Sequence, residues 1–364
     1  MTTRARASEA DRASAAFQTA LSQIGVGTVT DALRMWHDVP LVARPETTTS
    51  WLRRAIELVM NRRSQSRELA RAYYRLARAL RTGTTVADPY HPEPRYITLD
   101  VLRREFAALA GTPEQPQEGR ASGSTSQGTD SGSEPVQTPV QDAGDDEEQD
   151  SSDDGNDRIL VEEIKGLREQ EEANDRAARE ELARHLTALG PKNLGDKLKD
   201  IDTSAPADDV DRRRAEAHAQ AGARQAAAAE RIALNGGRSQ VWTQSERDKR
   251  VIGYIRLSRT GTPCGWCAML ISRGPVYRSS RSAEYGDGDK YHDNCHCYAE
   301  PVFSREQFNS SPLYALNRRY QELWPQVTKG LSGDAALTAW RRFIRTEQKA
   351  AAQEARRQTH VQEA

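Results

Sequence analysis

Apolar side chains recur along this chain mostly at helical intervals. Leu69, Tyr73, Leu76 and Leu80 fall at i, i+4, i+7 and i+11, and Trp51, Ala55, Leu58 and Val59 keep the same spacing upstream. That period predicts an amphipathic helix, which Gly83 is placed to end. Arg53, Arg54, Arg67, Arg71, Arg75 and Arg78 lie between the apolar positions and give the helix a basic side, solvated or touching nucleic acid. Asp88-Pro-Tyr-His-Pro-Glu-Pro94 excludes helix and predicts an extended connector. A further helix is expected over about 99–110. Ile159, Leu160, Ile164, Leu167 and Leu182 punctuate a highly charged stretch, read as a helix ending near Gly190-Pro191. Its narrow stripe suggests packing on one partner helix, including one from a second copy of the chain. The alanine-dense stretch 208–234 is a strong helix former, with Asn235-Gly236-Gly237 as its expected stop. Val251–Leu257 is β-branched and aromatic and reads as a strand. Residues 313–324 and 335–354 read as closing helices.

Composition changes this picture in one region. The 364 residues carry 52 Lys+Arg and 53 Asp+Glu, a formal net charge of −1. Between Gly111 and Leu160, however, there are thirteen acids and two bases, a local charge of −11 that leaves the remainder at +10. The stretch is rich in Ser, Gly, Gln and Pro and has almost no large apolar side chain to offset the entropy of ordering. It reads as a disordered acidic linker over 111–157. The expected layout is an N-terminal helical module (1–110), that linker, long charged and Ala-rich helices (158–234), a compact module (235–303) and C-terminal helices (304–364). The fold class is mainly α, with a small α+β zinc-knuckle module. No apolar run approaches the ~18 residues of a membrane helix, so no membrane role is expected. The first residues lack a secretory signal, which points to a reducing compartment.

The chemistry is concentrated in the compact module. All four cysteines lie there, as Pro263-Cys264-Gly265-Trp266-Cys267 and Tyr291-His292-Asp293-Asn294-Cys295-His296-Cys297. The spacing C-x2-C-x24-H-x2-C-x-C is that of a metal site. A C-x2-C turn brings two thiolates to one tetrahedral ion, Gly265 permits the turn, and the second cluster supplies the rest. Zinc is the expected ion and its role structural. The candidate ligands are Cys264, Cys267, His292, Cys295 and Cys297. Only four are needed, and Cys295 and Cys297 are expected to diverge if their backbone is extended. His296 is expected to point outward or to support a ligand from behind. Two disulfides or four buried thiols are the alternatives.

Pro-Cys-x-x-Cys is also half of a zinc deaminase signature, whose other half needs His-x-Glu at a helix start. Here the His-x-Glu is His91-Pro92-Glu93, in the proline-rich connector. A metal-dependent nuclease using His292 or His296 with Asp293 lacks a second carboxylate cluster. No catalytic or cofactor-binding residue is assigned.

The string Pro263-Cys-Gly-Trp-Cys-Ala-Met-Leu-Ile-Ser-Arg-Gly-Pro-Val-Tyr277, with Tyr291–Cys297, Glu300-Pro-Val-Phe303, Gly236-Gly-Arg238 and Gly253-Tyr-Ile-Arg256, resembles the MuF-like minor capsid (head morphogenesis) proteins of tailed phages. The likeness is greatest to those of actinobacteriophages. It covers about residues 235–303. The resemblance implies a few-copy protein of the virion, made in the host cytoplasm and placed inside the head near the portal. The implied partners are portal, coat or scaffold protein, with DNA through the basic helices as a further one. It implies assembly or genome delivery rather than catalysis. Because some relatives are linked to capsid maturation proteases, that activity is the alternative, followed by a metal-dependent nucleic-acid enzyme. Ser272 reads as a turn hydroxyl, and Trp266 and Tyr277 as packing over the metal site.

Overall fold

The computed structural model describes residues 2–42, 48–111, 158–258, 263–277 and 291–362. The acidic linker expected at 111–157 lies almost wholly outside these residues.

The chain is mainly helical. Three long helices, α1 (Thr3–Trp36), α2 (Thr49–Thr82) and α6 (Ala207–Arg247), pack against one another along most of their lengths. Leu69, Tyr73, Leu76 and Leu80 are all buried, as their spacing requires. Gly83 ends α2 in the left-handed region at φ 75°, its N–H returning to the Ala79 carbonyl at 2.9 Å. After α2 come β1 (Thr84–Val86), β2 (Tyr96–Thr98) and α3 (Leu99–Ala110). Thr98 caps α3 by accepting from the Val101 N–H.

Residues 158–162, expected in a helix, form a strand, β3 (Arg158–Glu162). It lies between β1 and β2, parallel to the first (Thr84↔Leu160) and antiparallel to the second (Ile97↔Ile159). The β-branched pair Ile159 and Val161 suits this pleated position, and Ile159 is buried. Arg158 pairs with Thr98, so the chain re-enters the fold beside the start of α3. Then α4 (Leu167–Thr187) continues through a π-helical turn (Ala188–Lys192) into α5 (Asn193–Lys199). Gly190-Pro191 therefore lies in a π-helical turn and does not end the helical run; a Cβ on Gly190 would meet the Trp36 and Trp51 rings at 3.0 and 3.2 Å.

The second expected stop fails for a related reason. Helix α6 runs straight through Asn235-Gly236-Gly237. A Cβ on Gly237 would lie 2.6 Å from the Ser66 carbonyl oxygen of α2, and one on Gly236 would lie 2.5 Å from Ser66 Oγ. The glycines admit α2 at close range. Ser66 fastens the crossing: its hydroxyl donates to the Ala233 carbonyl and accepts from the Gly237 N–H at 3.0 Å.

The basic side of α2 also differs from expectation. Arg63, Arg71, Arg75 and Arg78 are buried. They pair with Asp175 (2.9 Å), Glu171 (2.8 Å), Glu105 (2.9 Å) and Asp248 (2.6 Å), respectively. Three of those acids follow the linker in sequence. Only the early arginines, Arg53 and Arg54, remain exposed.

The compact region follows α6. A two-stranded antiparallel sheet joins β4 (Gly253–Leu257) to β5 (Tyr298–Val302), with Ile255 opposite Glu300. Between them lies α7 (Gly265–Ile271), and α8 (Arg305–Ser310), α9 (Ala315–Val327) and α10 (Gly333–Gln362) follow. Tyr320, Trp324 and Phe343 surround the buried Trp340 ring, with centroids 5.1–5.5 Å away. The segments that composition set apart share one apolar core: Phe17, Leu69 and Tyr73 pack with Tyr254, Tyr298 and Val302. No helix among the described residues is long and apolar enough to cross a membrane.

Candidate metal centre

Helix α7 presents the first pair of sulfurs. Cys264 occupies its N-cap, with Sγ accepting the Cys267 N–H at 3.4 Å, and the Cys264 carbonyl accepts from Ala268. This turn sets Cys264 and Cys267 on the same side. Gly265 is not needed for an unusual backbone angle there. A Cβ at Gly265 would press on Arg341 Cγ of α10 at 2.8 Å, so the glycine serves the helix–helix approach.

The second cluster is a short turn leading into β5. Asn294 adopts φ 60°, a left-handed conformation that asparagine tolerates, and the Cys295 N–H closes the turn on the His292 carbonyl at 3.2 Å. Beyond it the chain runs into β5 at Tyr298. Alternation then puts Cys295 and Cys297 on one side and His296 on the other. The expected divergence of the two cysteines is not met: both sulfurs are buried beside Cys267, and His296 is exposed.

The donor atoms fall into two overlapping groups. Cys264, Cys267 and His292 form one, and Cys267, Cys295 and Cys297 the other, each with its atoms within 4.8 Å of one another. Cys267 belongs to both, so an ion held here sits against Cys267. Its Sγ is 3.6 Å from that of Cys295. Two thiolates on one tetrahedral ion, each ~2.3 Å from it, stand ~3.8 Å apart. His292 Nε2 lies 3.0 Å from Cys264 Sγ, while Nδ1 lies 2.6 Å from the Asp293 carbonyl oxygen. A carbonyl can only accept, which fixes a proton on Nδ1 and points Nε2 at the Cys264 sulfur, where it can donate to a thiolate or, once deprotonated, ligate an ion. These five side chains could hold a metal ion.

The electrostatics carry the same message. Hydrogen bonding from Cys267 and His292 holds the Cys264 thiol down at about 4 despite partial burial. The Cys264 sulfur in turn raises His292 to about 9. Cys267, crowded by three sulfurs, is pushed strongly upward, and its hydrogen bond pushes Cys295 downward.

Two residues beneath the sulfurs carry no ligand signature in sequence. Arg256, 4 % exposed, donates from Nη1 to Cys267 Sγ at 3.4 Å, and Arg238, 2 % exposed, donates from Nη2 to the Cys295 carbonyl. Both close short strings that carry the family resemblance, Gly236-Gly-Arg238 and Gly253-Tyr-Ile-Arg256, and Arg256 is also a charged residue inside an otherwise apolar strand. Ser272 donates to the Met269 carbonyl at 2.7 Å, the turn role its position suggested. Tyr277 is buried with its hydroxyl on the Leu270 carbonyl.

Comparison with known proteins places this centre in context. Residues 169–323 match the family model described as VG15 protein. That span is less than half of the chain, yet it contains all four cysteines and His292. Gene 15 protein of Mycobacterium phage D29 is 30% identical to the chain over an alignment covering 26% of this chain and 44% of that relative. The chain thus spans less than half the length of the curated relative it matches. No solved structure matches it. The family match thus takes in the Cys/His cluster, and the chain is similar over part of its length to a bacteriophage protein.

Proposed function

We propose that the chain is a MuF-like minor capsid protein of a tailed phage, located inside the head near the portal, where it serves head morphogenesis and genome delivery. Its metal is a structural zinc. The observation that carries this reading is the sulfur cluster lying inside the family match over 169–323, and the likeness of the chain to a mycobacteriophage protein supports it. Zinc accepts mixed sulfur and nitrogen donors without redox demands, and five convergent donors leave no obvious open position for a catalytic water. The ion would tie α7 to the turn before β5, joining two pieces of chain that otherwise share a small two-stranded sheet. That is the duty of a clamp.

The partners proposed are the portal, coat or scaffold protein, met through helical surfaces. Contact with DNA through α2 is weakened as a proposal, because Arg71, Arg75 and Arg78 already face internal carboxylates. Mass spectrometry of purified virions tests the reading. The chain should be present at a few copies per head, and cross-linking should join it to the portal. Its absence from particles of a phage that encodes it would overturn the assignment.

A further inference from the structure

Two guanidinium groups lie on the buried side of the sulfur cluster, with the buried Glu230 beside Arg238. Arg256 and Arg238 are almost fully buried, and both guanidinium groups stand over the ring of one residue, Tyr291, with their carbons 4.1 and 4.3 Å from its centroid. Arg256 reaches a ligand sulfur directly, at Cys267. Arg238 reaches the carbonyl of another candidate ligand, Cys295, and the Asn235 side-chain oxygen at 3.3 Å. The nearby carboxylate of Asp293 is held by a different arginine, Arg231, at 2.8 Å. Asn317 in α9 fixes the strand that carries Arg256, donating to the Arg256 carbonyl at 3.1 Å and to the Ile271 carbonyl at 3.2 Å.

The charge count explains the arrangement. A divalent ion with three thiolates and an imidazole carries −1, and with four thiolates −2. Burying such a complex is costly unless opposite charge is buried with it. Two guanidinium groups sharing an aromatic ring supply that charge while the ring spreads it through cation–π attraction. A hydrogen bond to a ligating sulfur also keeps that sulfur oriented.

We propose that Arg238 and Arg256 are positioning residues for the metal, their charges shared across Tyr291 and directed at the Cys267–Cys295 pair. They hold the Cys267 sulfur and the Cys295 backbone in place so that both sulfurs turn toward a single ion. This rests on the metal reading above and extends it to the residues that set affinity.

The test uses the full chain, with Zn2+ affinity measured by chelator competition and the ligand set read from the absorption of the Co2+-substituted protein. Arg256→Met should weaken Zn2+ binding about tenfold or more and diminish the sulfur-to-cobalt charge-transfer band. Arg256→Lys, which keeps the charge, should recover most of the affinity. Arg238→Met is the second variant, and should weaken binding in the same sense if the first fails to fold. Affinities and spectra of both Met variants within twofold of the parent would overturn the proposal and leave the metal reading intact. Equal weakening by Arg256→Lys and Arg256→Met would also overturn it, because shape rather than charge would then matter. A parent chain that binds neither Zn2+ nor Co2+ would overturn the metal reading, and this proposal with it.

Discussion

Arg78 and Asp248 form an ion pair at 2.6 Å, with each side chain 2 % exposed, between the C-terminal half of α2 and the residue that follows α6. Tyr74 adds its hydroxyl to the same carboxylate at 2.9 Å, and Arg78 reaches on to Glu162 of β3 and to Thr84 Oγ1 at 2.8 Å. One buried guanidinium thereby joins segments on both sides of the acidic linker. Arg78→Met should cost about 3–5 kcal/mol, because it strands a buried carboxylate. Urea unfolding of the variant and the parent checks the figure; a loss below about 1 kcal/mol would show that water reaches Asp248.

The α2–α6 crossing should be intolerant of a single methyl group. Gly237→Ala places a carbon against the Ser66 carbonyl, a backbone atom that cannot swing away, and Gly236→Ala presses on the Arg63 carbonyl and Ser66 Oγ. Each should destabilise the chain by about 1–3 kcal/mol, despite the better helix propensity of alanine. Thermal denaturation would read this as a lower midpoint. A raised midpoint would mean that the glycines are incidental and the helices stand further apart.

These two relationships show what the sequence could and could not disclose. Periodicity located α2 and α3, the strand at 253–257 and both closing helices, because each depends on a local stripe or cap. It misjudged Gly190-Pro191 and Gly236-Gly237, where glycine answers to a neighbouring helix or ring rather than to its own backbone. It read β3 as helix because five residues carry too little pattern to reveal two strand partners brought from before the linker. The arginines of α2 gave a basic face in sequence, and their acids lie up to 170 residues away. At the candidate site, C-x2-C and H-x2-C-x-C named the five side chains that the structure gathers into overlapping groups. Arg238, Arg256 and Tyr291 escaped, since a residue that acts on a ligand from behind has no fixed spacing to it.

Stability should carry a pH signature from Glu300. The side chain is fully enclosed, and burial pushes its carboxyl up to about 7 against the hydrogen bonds that Tyr73 (2.6 Å) and Ser14 (2.9 Å) donate to it. A raised acid binds a proton in the folded state that the unfolded chain has already released. Its contribution is therefore complete below the ordinary carboxylate range, declines as pH rises through about 7, and then levels off. From about 4.5 to about 7 the loss amounts to roughly 3 kcal/mol. Urea midpoints at pH 5 and pH 8 should drop more for the parent than for Glu300→Gln, which has no charge to bury. Parallel pH responses in the two proteins would refute the assignment.

Removal of the ion should loosen the compact region before the three-helix body. With Cys267→Ser, the residue common to both donor groups, β4, α7 and β5 should gain hydrogen exchange while the packed core of α1, α2 and α6 remains protected. Uniform loss of protection would indicate that the cluster supports the whole fold; unchanged protection would indicate that it supports none of it.

The most direct measurement is the metal content of the purified full-length chain, by elemental analysis alongside a thiol titration. The account predicts one zinc per chain and four cysteines that react only after a chelator is added. A chain free of metal, with all four thiols reactive from the start, would contradict it.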